Sequence, residues 1–343
     1  MRNAAADLRR IAFLLERALQ PTYRVRAFRA AAERVDGIDP TELQERAEAG
    51  TLQELPDIGA ATAAVITESV AGREPAYLRK VEAADEAPDA GAGADLLAAL
   101  RGDLHSHSDW SDGGSPIAEM AEAARDLGHT YLALTDHSPR LTVARGLGAE
   151  RLERQLDVVA GVNETLAPFR LLTGIEVDIL EDGRLDQTDA LLARVDVVVA
   201  SVHSKLRMPA EEMTPRMVAA VANPHTDVLG HCTGRLITGG RGTRPESQFD
   251  AELAFAACAQ FGVAVEINSR PERLDPPRRL LRTAVEIGCL FSIDTDAHAP
   301  GQLQWQAYGC ARAAECGVDP ATVVDTWPVD VLLAWCADHS ARP

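Results

Sequence analysis

Lysine is nearly missing from this chain: Lys80 and Lys205 are the only two among 34 basic residues, which with so much alanine reads as the mark of a GC-rich genome. No apolar run approaches the length of a membrane span. Residues 1–20 lack the basic end followed by an apolar run that an export signal needs, so a cytoplasmic, membrane-free protein is expected. No C-x-x-C spacing occurs among Cys232, Cys258, Cys289, Cys310, Cys316 and Cys336, which are expected as reduced and mostly buried thiols. Neither a G-x-S-x-G elbow nor a P-loop is present, so neither motif points to a nucleophilic serine or a glycine phosphate cradle. Positive charge is missing as well: the formal net charge is −18, which opposes nonspecific binding to nucleic acid. The deficit is uneven. Residues 1–82 hold 12 basic and 13 acidic residues, whereas the remainder holds 22 and 39.

Histidines and carboxylates in a particular arrangement are what the chain does have. In Asp103-Leu104-His105-Ser106-His107-Ser108-Asp109-Trp110-Ser111-Asp112-Gly113, strand alternation turns His105 and His107 the same way, and the Asp112-Gly113 turn can return a carboxylate over that face. Two imidazoles and a carboxylate suit zinc, manganese or iron better than calcium or magnesium. From residue 102 onward strand and helix patterns alternate seven times, with strands expected near 102–108, 131–137, 170–178, 195–203, 227–233, 263–269 and 290–297. That rhythm implies a mostly parallel sheet or barrel. A ligand-type residue ends almost every strand: His105 and His107, then His137, Glu176, His203, His231, and finally Asp296 with His298. In β/α barrels chemistry sits at those C-terminal ends. His129 and His225 precede strands and His339 lies in the tail, so these three are expected to be ordinary satisfied or exposed histidines.

The first 82 residues read differently. Helical spacing recurs over 2–20 and 25–35, a further helix starts at Pro40, and Leu55-Pro56-Asp57-Ile58-Gly59 makes a short turn between helices. This turn resembles a helix-hairpin-helix, and residues 1–82 resemble the small N-terminal domain of family X DNA polymerases. The resemblance implies phosphate contact by the turn backbone at Gly59 and by Arg24, Arg26 and Arg29. Two departures stand out. Asp57 occupies a position that is glycine in the usual Gly-x-Gly turn, and Val65 occupies that of the Schiff-base lysine, so lyase chemistry is not expected. Residues 83–100 read as an alanine- and glycine-rich linker with a short helix at its end. Eighteen residues cannot hold a nucleotidyl-transfer domain, so polymerase activity is excluded on length.

Residues 101–320 resemble a PHP domain, of the polymerase and histidinol phosphatase superfamily, with 321–343 as a C-terminal helical tail. Within that superfamily they are most similar to the exonuclease part of bacterial family X polymerases, through Gly230-His231-Cys232-Thr233-Gly234-Arg235 and Glu266-Ile267-Asn268-Ser269-Arg270-Pro271-Glu272-Arg273-Leu274-Asp275. Cys232 departs from a proline there. The resemblance implies an α/β fold, a distorted seven-stranded (β/α)7 TIM-like barrel behind the all-α domain. It also implies two to three divalent metal ions, manganese, zinc or iron. One would be held by His105, His107, Glu176 and Asp296, a second by His203, His231 and a bridging Glu176, and a third by Asp112, His137 and His298. His105, His107, Glu176 and Asp296 are expected at the catalytic heart.

The reaction suited to such a cluster is hydrolysis of a phosphate ester by a metal-activated water. Lys205, Arg235, Asn268 and Arg270 are the expected substrate contacts, with Arg145 and Arg273 as further cations. Asp103, Asp178 and Asp294 share inward faces with ligands and are expected to orient histidines. Three functions follow. The leading one is a 3′-5′ exonuclease or 3′-end-processing phosphodiesterase on DNA, with any partner polymerase or ligase not readable from the sequence. The others are a phosphomonoesterase on a small phosphorylated metabolite and a noncatalytic DNA-end or protein adaptor, and nine ligands in register argue against the last.

Overall fold

The computed structural model describes residues 2–240 and 242–339, and its backbone divides into two units. Residues 1–87 form the first, with the short segment Pro300–Gln302, and residues 88–299 and 303–343 form the second. No helix among the described residues is long and apolar enough to cross a membrane.

Five helices build the first unit: α1 Ala4–Arg17, α2 Thr22–Asp36, α3 Pro40–Ala49, α4 Ala60–Val70 and α5 Ala76–Ala83. Their ends are set by local chemistry. The Asn3 side chain accepts from the Ala6 N–H, Asp39 accepts from Thr41 ahead of Pro40, and Gly50 stops α3 in the left-handed region at φ 71°. Helical spacing turns Leu8, Ile11 and Leu15 inward against Phe28, Ile66 and Leu78.

Before α4 the chain needs a left-handed residue, and Asp57 supplies it at φ 66°, a conformation that aspartate tolerates better than most residues that carry a Cβ. This accounts for aspartate standing where the usual turn has glycine. Its carboxylate meets half-buried Arg34 at 3.2 Å.

The residues expected to meet DNA are only partly available. The Gly59 N–H donates to Thr62 Oγ1 at 3.0 Å. Arg29 pairs with buried Glu16 at 2.5 Å, and Arg24 donates to Gln20 at 2.9 Å and to the Tyr77 hydroxyl at 2.7 Å. Arg26 is exposed.

In the second unit six parallel strands follow one another in chain order: β1 Tyr131–Leu134, β2 Arg170–Asp178, β3 Val197–Ser201, β4 Val228–Leu229, β5 Ala264–Asn268 and β6 Leu290–Asp294. The expected seventh, residues 102–108, is an extended segment instead. Ser106 bridges in parallel to Leu134 on one side and to Ala297 on the other, which brings the two edges of the sheet together. It forms no longer ladder because several of its N–H groups go to side chains. Leu104 donates to Asp294 at 2.6 Å, His105 to Asp103 at 3.0 Å and Ser106 to Thr135 at 3.1 Å.

The two ends of this unit are packed more deeply than a linker and a tail would be. Of residues 83–100, the last thirteen belong to the second unit, where helix Ala94–Ala99 forms and Ala90, Leu96 and Leu100 join the core. At the chain end, Leu332 and Trp335 on helix Val329–His339 bury with Leu104, Ala133, Leu172 and Val199. The side chain of His339 lies outside the described residues.

Candidate metal centre

Alternation along β2 puts Leu172, Gly174 and Glu176 on one face, and the Glu176 carboxylate is completely buried at the centre of the site. Around it the chain turns out of β1, β3, β4 and β6 two or three residues past each end. That turn delivers His137, His203, His231 and Asp296 to one place, and the segment 102–108 adds His105 and His107. Glu176 Oε1 lies 3.0 Å from His231 Nε2, 3.3 Å from His203 Nε2 and 3.4 Å from His105 Nε2. Its Oε2 lies 2.7 Å from His137 Nδ1 and 3.7 Å from His107 Nε2. Asp296 Oδ1 stands 3.4 Å from His107 Nε2. Asp112 Oδ1 stands 3.4 Å from His137 Nε2 and 3.3 Å from His298 Nε2. All nine expected ligands therefore meet.

These spacings fit metal sites better than a hydrogen-bonded cluster. Both Glu176 oxygens, His105 Nε2, both ring nitrogens of His107 and His203, and His137 Nδ1 are buried without a hydrogen-bond partner. Leaving such atoms unpaired is costly. Ligand atoms about 2.1 Å from a tetrahedral metal stand roughly 3.4 Å from one another, and the observed separations cluster near that value. Among the described residues four overlapping groups could hold a metal ion: His107, Asp112, His137 and His298; His105, His107 and Asp296; His105, Glu176 and His231; and His137, Glu176 and His203. These groups do not follow the implied three sets: Glu176 stands apart from the His105, His107 and Asp296 group, His231 joins Glu176 with His105 while His203 joins it with His137, and His107 also enters the Asp112 group.

Burial and neighbouring charge sort the protonation states. Burial would raise the Glu176 carboxyl, but His203, His105 and His137 outweigh it and hold it well below the usual range. Burial opposes charge on His203, yet Glu176 and Asp178 raise it to about 9. For His107, burial and the adjacent His298 and His137 push it down to about 3. Burial, with Arg273 adding to it, takes His231 to about 4.

Several supporting groups had no clear sign in the sequence. Glu266 on β5 accepts from His105 Nδ1 at 2.6 Å and from the His231 N–H, while Asn268 donates to it at 3.3 Å. Period-two spacing from Asn268 along β5 was the available signal for Glu266. Asn268 thus steadies the site from behind. Asp136 gathers Ser108, Ser111 and Gln155, shaping the loop that carries Asp112. The expected orienting residues act mainly on backbone: Asp103 accepts from the His105 N–H, Asp294 from the Leu104 N–H and Asp178 from the His203 N–H at 3.0 Å.

A cavity of about 370 Å³ opens over the cluster, lined by Asp112, His137, His203, Asp296 and His298, by Leu141, Val143, Ala144 and Leu206, and by Arg244, Arg270 and Arg273. Val143, on its rim, is 90% exposed. Of the expected substrate contacts only Arg270 is in this wall, 3.1 Å from His298 Nδ1. Arg273 Nε donates to Asp296 Oδ2 at 3.0 Å. Arg235 instead donates to the carbonyls of Arg273 and Leu274. Lys205 is exposed in the turn after β3, and Arg145 braces the Asp112 loop through the Ser111 carbonyl at 2.9 Å. Arg244 was not anticipated.

Residues 103–270 match the PHP domain family, and residues 2–74 match a helix-hairpin-helix domain family. The chain is 43% identical over 229 residues to the DNA polymerase/3′-5′ exonuclease PolX of Bacillus subtilis, covering 67% of this chain and 40% of that one. It is 27% identical over 207 residues to a probable phosphatase of Thermoanaerobacter, covering 57% of this chain and 78% of that one. The crystal structure of a Lactococcus lactis histidinol phosphate phosphatase, complexed with zinc, L-histidinol and phosphate, aligns with a TM-score of 0.48 at 18% identity. That alignment covers 64% of this chain and 95% of the other.

Proposed function

Because the chain joins a PHP domain at 103–270 to a helix-hairpin-helix domain at 2–74, we propose that it is a metal-dependent phosphoesterase that trims or cleans the 3′ ends of DNA. Its ligands in this reading are His105, His107, Asp112, His137, Glu176, His203, His231, Asp296 and His298. The observation that carries it is the meeting of these nine side chains at one place, five of the histidines directly around the buried Glu176 carboxylate, whose two oxygens have no hydrogen-bond partner. DNA is favoured over a metabolite because the chain is 43% identical to a polymerase that is also a 3′-5′ exonuclease, although it spans only 40% of that enzyme's length.

Divalent ions in such a centre lower the pKa of a water and offset charge on a phosphoryl group during in-line displacement. The chain's own residues do the rest. Glu176 presents both oxygens, each to a different set of imidazoles. Arg270 offers a guanidinium to the phosphate at the cavity wall, and Arg273 fixes Asp296. Leu141, Val143 and Ala144 add apolar surface to the lining of the same cavity. Histidine-rich donors with few carboxylates suit manganese, zinc or iron.

A second reading, a phosphomonoesterase of small metabolites, is favoured by the similarity to a probable phosphatase over 78% of its length and by a cavity of metabolite size. One experiment separates the two. The purified chain, loaded with Mn²⁺ or Zn²⁺, is offered 3′-recessed and 3′-overhanging DNA alongside a panel of phosphorylated metabolites. Release of nucleotides from 3′ ends supports the first reading, and turnover confined to a monoester replaces it with the second.

A further inference from the structure

Strand order divides the cavity mouth by chemistry. The loops after β1 and β3 supply Leu141, Val143, Ala144 and Leu206, whereas those after β4 and β5 supply Arg244, Arg270 and Arg273. One arc of the rim is apolar and the next is cationic. Arg244 belongs to two hollows at once, since it also lines an open groove of about 640 Å³ with Arg235, Ile237, Glu246, Phe249 and Arg279. Its position is fixed. Leu236 and Arg244 exchange backbone hydrogen bonds of 2.9 Å in both directions, and Arg244 Nε donates to the Gly234 carbonyl at 2.6 Å.

The groove holds three guanidinium groups and one carboxylate in the part of the chain where acidic residues outnumber basic ones 39 to 22. Glu246 contacts both Arg235, at 3.6 Å, and Arg279, so it holds two cations side by side rather than cancelling the site. Arg279 sits in the first turn of helix Arg278–Ile287, the end where backbone N–H groups disfavour a cation and favour an anion. Ile237 and Phe249 add apolar surface to the same groove, a combination suited to a nucleic-acid strand. A phosphomonoester needs only the metal-lined cavity. A strand end brings further phosphates, and the apolar arc has nothing to offer them.

Resting on the phosphodiesterase reading above, we propose that this groove binds the phosphate next to the scissile one on the strand that remains. The preferred substrate is then a DNA strand end with at least two phosphodiester links. The test compares three substrates with the metal-loaded full chain: a chromogenic bis-aryl phosphodiester, a dinucleoside monophosphate with one diester, and a trinucleoside diphosphate with two. For the unaltered protein, kcat/KM should be about tenfold or more higher on the third than on the second, mainly through KM. Arg279→Glu should abolish that gain while leaving the first two substrates unchanged, and Arg279→Lys should restore part of it. Equal kcat/KM on the two nucleotides, or an Arg279→Glu loss shared by all three substrates, overturns the proposal and leaves the phosphodiesterase reading standing. An unaltered protein that hydrolyses a metabolite monoester and neither nucleotide overturns that reading, and the groove's role with it.

Discussion

Replacing Glu266 by glutamine tests whether the centre depends on its surroundings as well as on its ligands. Glu266 takes a hydrogen bond from His105 Nδ1 at 2.6 Å with one oxygen and one from the His231 N–H with the other. Glutamine keeps the shape but has a single acceptor oxygen, so its NH₂ must face either the imidazole or the amide, donor against donor. The His105 ring then loses the hold that aims Nε2 at Glu176. Losing a partner behind a metal-ligating histidine weakens metal binding roughly 10- to 100-fold, about 1.4 to 2.7 kcal/mol. At one free metal concentration, the stabilisation that binding confers falls by the same amount. For a domain of this size that is a metal-induced melting shift about 3 to 10 °C smaller than in the unaltered protein. Chelator-buffered Mn²⁺ titration and paired melts with and without metal measure both quantities, and excess metal should recover most of the rate. An Mn²⁺ affinity within threefold of the unaltered protein, with an unchanged melting shift, would refute the reasoning.

Glu176→Gln should cost more than about a hundredfold in hydrolysis, beyond what a supporting residue costs, while His129→Gln and His225→Gln stay near full activity; equal losses at the three positions would show that strand ends and strand starts were sorted wrongly. In the metal-free protein His203 is raised to about 9, above its value in an unfolded chain, so its stabilising contribution is complete below about pH 6.5 and is lost as pH rises to 9. Metal affinity should run the opposite way, rising with pH over that window with proton release, as calorimetry in buffers of different ionisation enthalpy would detect. A chain shortened to begin at Pro88, the first residue of the barrel unit, should keep hydrolysis of a chromogenic phosphodiester and lose DNA affinity. The intact chain's DNA affinity should fall by roughly one power of salt per phosphate contact, and equal DNA degradation by both forms would remove the N-terminal unit as a DNA-binding element.

The parts of the fold that obey a period were legible. Alternating strand and helix patterns located six parallel strands, and the strand-end positions of six histidines located the side chains that meet around Glu176, because a barrel sends its strand ends to one face. The seventh stave was misjudged in kind. Residues 102–108 have strand-like alternation, but Asp103, Thr135 and Asp294 accept their N–H groups before a ladder can form. Period cannot show that competition, which depends on side chains brought from as far away as residue 294. The acidic segment before the barrel misled for a related reason. Alanine and glycine near residue 90 resemble a linker by composition, yet small residues also allow close packing, and Gly93 lies where a Cβ would meet the Cys310 carbonyl.

Cations were read less well than ligands, and the difference is physical. A histidine or aspartate is short, so its place on a strand fixes where its donor atom goes. An arginine reaches much further with five donors, and its destination is chosen by whichever carbonyl or carboxylate the fold brings within range. Arg29 goes to Glu16 and Arg145 to the Ser111 carbonyl, so these two are used within the fold, while Arg235 is drawn by two carbonyls after β5 out of the metal-lined cavity and into the neighbouring groove. Arg244, in a glycine-rich stretch with no strand-end address, enters the cavity wall instead. Where catalytic identity depends on short ligands and substrate identity on long cations, sequence reveals the first before the second. The proposed phosphoester chemistry of this site therefore follows from its short ligands, and the choice between DNA and a metabolite turns on what the Arg244 side of the mouth binds.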